Sequence, residues 1–267
     1  MKMKKKGERI RDLYRVLQAF PFIQGILYYT EVEPQTAQGS AGPLPTRFLH
    51  GLDVRLVRKG LDFKQILKRD RNAFFPLQGL FVEKGFLYQV FGRLEGTLLA
   101  HELYRSVPFT GREVVHILRS ASGHLLRIYQ QDLFTVVHPQ NMLFTGESVR
   151  FLYGGPSGFL PKLGGEQGRP PKEANPEERK RKEQAVDAYS LGALAYTMLT
   201  GKTPSPGGNM PSVRTDREEI PPEMERLVMY SLHPNPRSRP RIEDWWGYLS
   251  HLPNAQEAQG RMTLRTT

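Results

Sequence analysis

"LFTVVHPQNMLFTGESVRFLYGG", Leu133 to Gly155, decides how the rest of the chain is read. An apolar entry is followed by Pro139, Gln140 and Asn141, which predict a turn, and then by the apolar Met142 to Phe144, which predicts a short strand. "FTGES" turns the chain into a second short strand, "SVRFLYGG", so the stretch reads as a loop running into a small hairpin. The loop has the cadence of an active site and displays the polar Asn141. Yet Val136, at its start, carries no group that can accept or donate a proton.

Upstream of the hairpin, "TGREVVHILRSASGHLLRIYQQ" (residues 110–131) places Val114, Leu118, Ala121, Leu125 and Ile128 on one face and predicts a long packed helix. "LLAHELYRS" before it predicts a shorter one. Further back, "DLYRVLQAF" and "GILYYTEVE" read as strands, and residues 36–46 as a Gly/Pro loop. The alternation of "DVRLVRKG" (residues 53–60) predicts a third strand, and residues 62–74 a helix opened by Asp62. "LQGLFVEKGFLYQVFGR" predicts two strands with "EKG" turning between them. Downstream, the Pro, Gly and charge of residues 156–182 predict a long loop. "AVDAYSLGALAYTMLTG" (residues 185–201) predicts a helix buried on every side, with "PPEMERLVMYSL" and "RIEDWWGYLSHL" as two further helices and a polar tail from Pro253.

Composition narrows the classes of chemistry. With no cysteine among 267 residues, thiol catalysis, disulfides and Cys-type zinc sites are excluded, which suits a reducing compartment. The seven histidines show no HxH or HxxxH pair, and no metal is expected. The formal charge of +11 sits largely in "MKMKKKGERIR" and "EERKRKE". Neither interleaves aromatics as a base-stacking platform does, so both read as solvated surface rather than a nucleic-acid footprint. The basic start has no apolar stretch behind it, so a signal peptide is not expected, although it could touch an anionic leaflet.

This element order, together with three local motifs, resembles the protein kinase fold of the Ser/Thr type. "VDAYSLGALAYTMLTGKTP" looks like the buried central helix of the kinase C-lobe, with Asp187 matching the acid that anchors the catalytic-loop backbone. "LHPNPRSRPRIEDWW" is similar to the closing element, Arg239 and Pro240 matching its Arg-Pro pair, and residues 133–155 match the catalytic-loop and metal-loop hairpin. The resemblance implies an α+β, two-lobed fold. A β-rich N-lobe with one helix would span residues 1–93 and a helical C-lobe residues 94–252, with an activation-like loop at 156–184 and a tail at 253–267.

On that match the reaction has lost its parts. Phosphoryl transfer depends on positioning and on charge around the phosphates and Mg²⁺. Phe134, Thr135 and Val136 stand where the family has His-Arg-Asp, His138 stands at the following Lys, and Asn141 at the second-metal Asn. Tyr153, Gly154 and Gly155 replace the Asp-Phe-Gly that holds Mg²⁺, and a neutral phenol is a poor hard-cation ligand. "QAFPFIQG" offers only Gly25 for a phosphate-cradling loop; Arg55, Arg58 or Lys59 could lie near the Lys position, and no Glu follows in residues 62–74 to pair with it.

The expected protein is thus a pseudokinase: His138, Asn141, Tyr153, Gly154, Gly155, Arg58 and Lys59 are remnants of a nucleotide site, and Asp187 and Arg239 are structural. No cofactor is expected, and ATP binding is doubtful. Its partner would be a protein, such as an active kinase or a membrane or secretion complex, met through the C-lobe or Arg179–Lys182. The implied location is the cytoplasm, or the cytosolic part of a membrane-associated protein. Two readings compete: a divergent active kinase using His138 or Asp132 as base, and a basic nucleic-acid-binding module, which predicts a steep salt dependence.

Overall fold

The computed structural model describes residues 3–23, 25–33, 43–57, 63–146, 148–156, 176–205 and 210–252. The fold is mixed α/β and divides into two compact units. One comprises residues 1–96, 132–135 and 151–165; the other comprises residues 97–131, 136–150 and 166–267.

The first unit is built on a six-stranded antiparallel sheet ordered β1-β2-β3-β4-β6-β5. Its strands are β1 (Arg9–Ile10), β2 (Tyr14–Phe22), β3 (Gly25–Val32), β4 (Thr46–Asp53), β5 (Leu77–Glu83) and β6 (Phe86–Phe91). Ile10, Val16, Ile26, Tyr28, Leu49, Tyr88 and Val90 form its core, drawn from strands that are far apart in sequence. The expected β5–β6 hairpin forms. Lys84 (φ 49°) and Gly85 (φ 81°) both occupy the left-handed region, the requirement of a two-residue turn whose twist matches its strands.

Two expectations for this unit fail. The third strand is β4, and of the expected strand at residues 53–60 the described part turns away after Asp53, whose carboxylate accepts from Arg55 N at 3.0 Å and opens a short 3-10 helix, Val54–Leu56; residues 58–60 lie outside the described residues. The alternation of Val54 and Leu56 that suggested a strand therefore never enters the sheet. The helix α1 spans only Phe63–Leu67 rather than residues 62–74, of which Asp62 lies outside the described residues. Beyond the end of α1 at Leu67, the Asp70 side chain accepts Asn72 N at 2.8 Å and holds a turn there in place of further helix, and Asp70 O accepts Phe74 N at 2.9 Å. A second, two-stranded ladder pairs β8 (Leu133–Thr135) with β11 (Gly154–Pro156), Gly154 opposite Thr135 and Gly155 opposite Phe134.

The second unit is mainly helical: α2 (Leu99–Ser106), α3 (Gly111–Gln130), α4 (Pro176–Thr200), α5 (Pro222–Ser231) and α6 (Ile242–His251). A small sheet places β9 (Met142–Phe144) between β7 (Thr97–Leu98) and β10 (Val149–Phe151), so the hairpin read at the outset is present. Its turn is closed by Thr145 N donating to Ser148 O at 2.9 Å. The predicted face of α3 is buried, and a reciprocal cap starts the helix: Thr110 Oγ1 accepts Glu113 N while Glu113 accepts Thr110 N. Thr110→Ala is expected to lower stability by about 1 kcal/mol, measured as a shift of the urea midpoint with an unchanged slope.

Helix α4 begins at Pro176, well before the expected residue 185, so the charged "EERKRKE", expected as part of a loop, is helical. Residues 157–175 lie outside the described residues. Glu, Arg and Lys propagate a helix well, Glu177 and Glu178 sit favourably in its first turn, and Glu178 pairs with Lys182 one turn on at 3.1 Å. Gly192 lets α4 approach α5: a Cβ there would stand 2.4 Å from Ser231 Cβ. Of the adjacent tryptophans, Trp245 is fully buried and donates Nε1–H to Ser231 Oγ at 3.0 Å, while Trp246 is part-exposed over Gly123. Among the described residues, no helix is long and apolar enough to cross a membrane.

Candidate functional site

The residues singled out by sequence fall in both units. In the helical unit, the loop from Val136 to Asn141 is held from within. Asn141 is fully buried and donates Nδ2–H to Val136 O at 2.8 Å, while its backbone N–H donates to His138 O at 2.8 Å. Its amide therefore braces the turn it sits in. His138 caps the short 3-10 turn Pro139–Asn141, its Nδ1 accepting Gln140 N at 3.2 Å, and partial desolvation lowers its pKa. A neutral imidazole that accepts at Nδ1 adds no positive charge at the place where the resemblance implies a lysine.

Asp187 and Arg239 also belong to this unit. Asp187 is buried in α4 and accepts Tyr129 Oη–H from α3 at 2.6 Å, its hydrogen-bond partner among the described residues. The resemblance implies an acid that grips the loop backbone; here the carboxyl ties helix to helix. Burial pushes its pKa up to about 7, against the Tyr129 bond, which lowers it, and with Glu183, which raises it further. Arg239 donates to Ala185 O and His233 O, each at 2.9 Å, and lies 4.9 Å over the Tyr189 ring, so it ties the segment before α6 to α4. Arg181 and Lys182 of the expected partner-binding segment project from the exposed start of α4.

In the sheet unit, Tyr153, Gly154 and Gly155 are all buried. Tyr153 O accepts Thr135 Oγ1–H at 2.7 Å, and burial raises the phenol's pKa far above its ordinary value. At neutral pH the side chain cannot supply an anionic oxygen. Its ring packs edge-on against His50, centroids 5.2 Å apart, and His50 in turn meets Phe22 edge-on at 4.9 Å. Gln89 on the neighbouring β6 lies with Nε2 3.0 Å from His50 Nδ1, so the imidazole accepts from the amide there. Gly25 permits this packing, since a Cβ at that position would fall 2.2 Å from Gly51 O and 3.1 Å from His50 Nε2. Phe22, His50 and Tyr153 thus form a continuous ring stack inside the unit.

The backbone beneath the stack is pinned by Arg69. This guanidinium is buried and donates to Gly154 O (2.9 Å), Leu152 O (3.0 Å) and Phe75 O (2.9 Å), with the Phe74 ring at 4.8 Å. Burial pulls its pKa down to about 9, still protonated at neutral pH. Three carbonyls stand in for the water a buried cation loses.

Sequence reading missed His50, Phe22 and Arg69. His50 fell between the expected loop at 36–46 and the expected strand at 53–60, and Arg69 lay unremarked within the helix expected over residues 62–74. Arg58 and Lys59, offered as candidates for a cleft cation, lie outside the described residues. Among the described residues, no group of three or more His, Asp or Glu side chains converges as a metal centre would. No protein-family model matches the chain, and no characterised protein matches it in sequence.

Proposed function

We propose that this chain is a protein kinase-like domain without phosphoryl-transfer activity, a pseudokinase that acts as a scaffold or regulatory protein-binding module. The observation that carries the reading is the Phe22–His50–Tyr153 stack. Residues 14–91 run strand, strand, strand, helix, strand, strand, the order expected of a kinase N-lobe, and β4 takes the third place. His50 is the side chain of β4 that meets Tyr153. A working kinase needs a lysine on that strand and a metal-holding aspartate near it. Here an imidazole bonded to Gln89 and a neutral phenol face each other instead, with the Phe22 ring on the other side. Val136, whose side chain has no lone pair, supports the same reading from the loop.

Such a domain acts through its surface. The binding partner in this reading is a protein, met by the helical lobe or by the basic start of α4, in the cytoplasm or on the cytosolic side of a membrane complex. Melting the protein with millimolar ATP and MgCl₂ tests the catalytic half of the proposal. The expected result is a shift of less than about 1 °C, the size of a ligand present below its Kd, and no transfer of labelled phosphate. Mg²⁺-dependent stabilisation accompanied by transfer that survives purification would make it a divergent kinase. Retention by nucleic acid with a steep salt slope would favour the third reading.

A further inference from the structure

The helical unit contains a cavity of about 290 Å³ that the kinase reading does not use. Val115 of α3, Leu199 of α4, Met224 of α5, and Tyr248 and Leu252 at the end of α6 supply an apolar lining. A dry apolar cavity of about 150 Å³ already takes up benzene, and this one has nearly twice that volume. It suits a narrow aliphatic chain of roughly eight to twelve carbons, each methylene contributing about 0.8 kcal/mol when buried.

The charges around it have one sign in excess. Arg112, Arg119 and Arg217 line the cavity against a single acid, Glu219. Two of the three arginines are occupied. Arg217 donates to Phe109 O at 2.7 Å and pairs with Glu219 at 2.7 Å, and Arg119 donates to the α6-end carbonyls of Leu249 and Leu252 at 2.8 and 2.6 Å. Arg112 is exposed and has no hydrogen-bond or ion-pair partner among the described residues. One turn along the same face of α3, His116 lines the cavity with its Nε2 buried and, among the described residues, lacking a hydrogen-bond partner. Buried polar atoms are rarely left so, and the Arg112 guanidinium stands one helical turn away from this one.

We propose that this cavity binds a single-chain anionic amphiphile, a free fatty acid of medium length, with its hydrocarbon among Val115, Met224 and Leu252 and its carboxylate between Arg112 and His116. The inference is independent of whether the chain is a pseudokinase, since no residue of the ring stack takes part.

The full-length protein is titrated with monomeric laurate, below its micelle concentration, and binding is followed by calorimetry and by melting temperature. Laurate is expected to bind one to one and to raise the melting temperature by several degrees at about 100 times its Kd. Dodecanol should bind more weakly, and dodecyltrimethylammonium not at all. Val115→Trp and Leu252→Trp fill the same space from different elements, and either variant that keeps the wild-type melting temperature should lose binding. Arg112→Glu should weaken laurate about five-fold, in the range of one exposed ion pair, and leave dodecanol unchanged. Absence of stoichiometric binding would overturn the proposal, as would undiminished binding in a folded cavity-filled variant or equal affinity for the cationic amphiphile. Adhesion to phosphatidylglycerol vesicles without affinity for monomeric laurate would also overturn it, since surface charge alone would then explain the interaction.

Discussion

At pH 8 the Asp187→Asn protein is expected to melt higher than the wild type, with the gap closing as the pH is lowered towards 4. Asp187 is buried, and its pKa stands at about 7 in the fold against 3.8 in an unfolded chain. Between those values the folded state keeps a proton that the unfolded state releases. A raised carboxyl pKa therefore contributes stability that is fully present below pH 3.8 and is lost as pH rises to about 7, beyond which the loss is complete. At about 1.4 kcal/mol for each pH unit of separation, the effect is on the order of 4 kcal/mol, or roughly 10 °C for a chain of this size. The asparagine retains an oxygen to accept Tyr129 Oη–H but cannot ionise. Melting curves of both proteins from pH 4 to 8 check this. Parallel curves would mean that Asp187 ionises as freely in the fold as outside it. Subtracting the variant matters because Asp53, held down at about pKa 2 by Arg55, works in the opposite direction at acid pH.

Gly154→Ala is expected to lose about 3 kcal/mol, near the upper end for overpacking a filled core, whereas Gly247→Ala is expected to gain up to about 1 kcal/mol as a helical glycine replaced by the best helix former. A Cβ on Gly154 would meet Phe134 O at 2.6 Å and Phe74 Cε1 at 2.3 Å. The carbonyl belongs to the β8–β11 ladder and cannot move alone, and Gly154's own carbonyl is held by Arg69. The strain therefore spreads into the backbone beside Tyr153. A Cβ on Gly247 meets nothing within 4 Å. Chemical denaturation of the two variants should displace the midpoint in opposite directions. Equal small effects would show that the backbone around Tyr153 yields easily, contrary to the pinning by Arg69.

Elements whose own residues carry the signal were legible in advance. The α3 face repeats at helical spacing, "EKG" can only turn, and the apolar run from Leu191 to Leu199 has to be buried all round. The reading failed where a side chain acts on its own backbone. Asp53 and Asp70 each capture a nearby N–H group, so Val54–Leu56 form a 3-10 turn in place of strand and the helix does not run through residue 74. It failed again at "EERKRKE", where a dense charge run passes for loop but has strong intrinsic helix preference and a favourable i,i+4 pair.

For the site, the same division applies. The residue types alone determined that Val136 can move no proton and that Tyr153 is no carboxylate, because those facts are chemical identities independent of position. Only the tertiary structure decided what fills the space around Tyr153. The contact with His50 joins positions about a hundred residues apart, and neither residue has a neighbour in sequence that signals the other. Arg69 belongs to the same category: its burial is supported by the nearby Phe75 carbonyl together with those of Leu152 and Gly154, which long-range folding brings to it. Periodicity reports which face of an element is apolar, but the identity of what packs against that face is set by long-range closure of the chain.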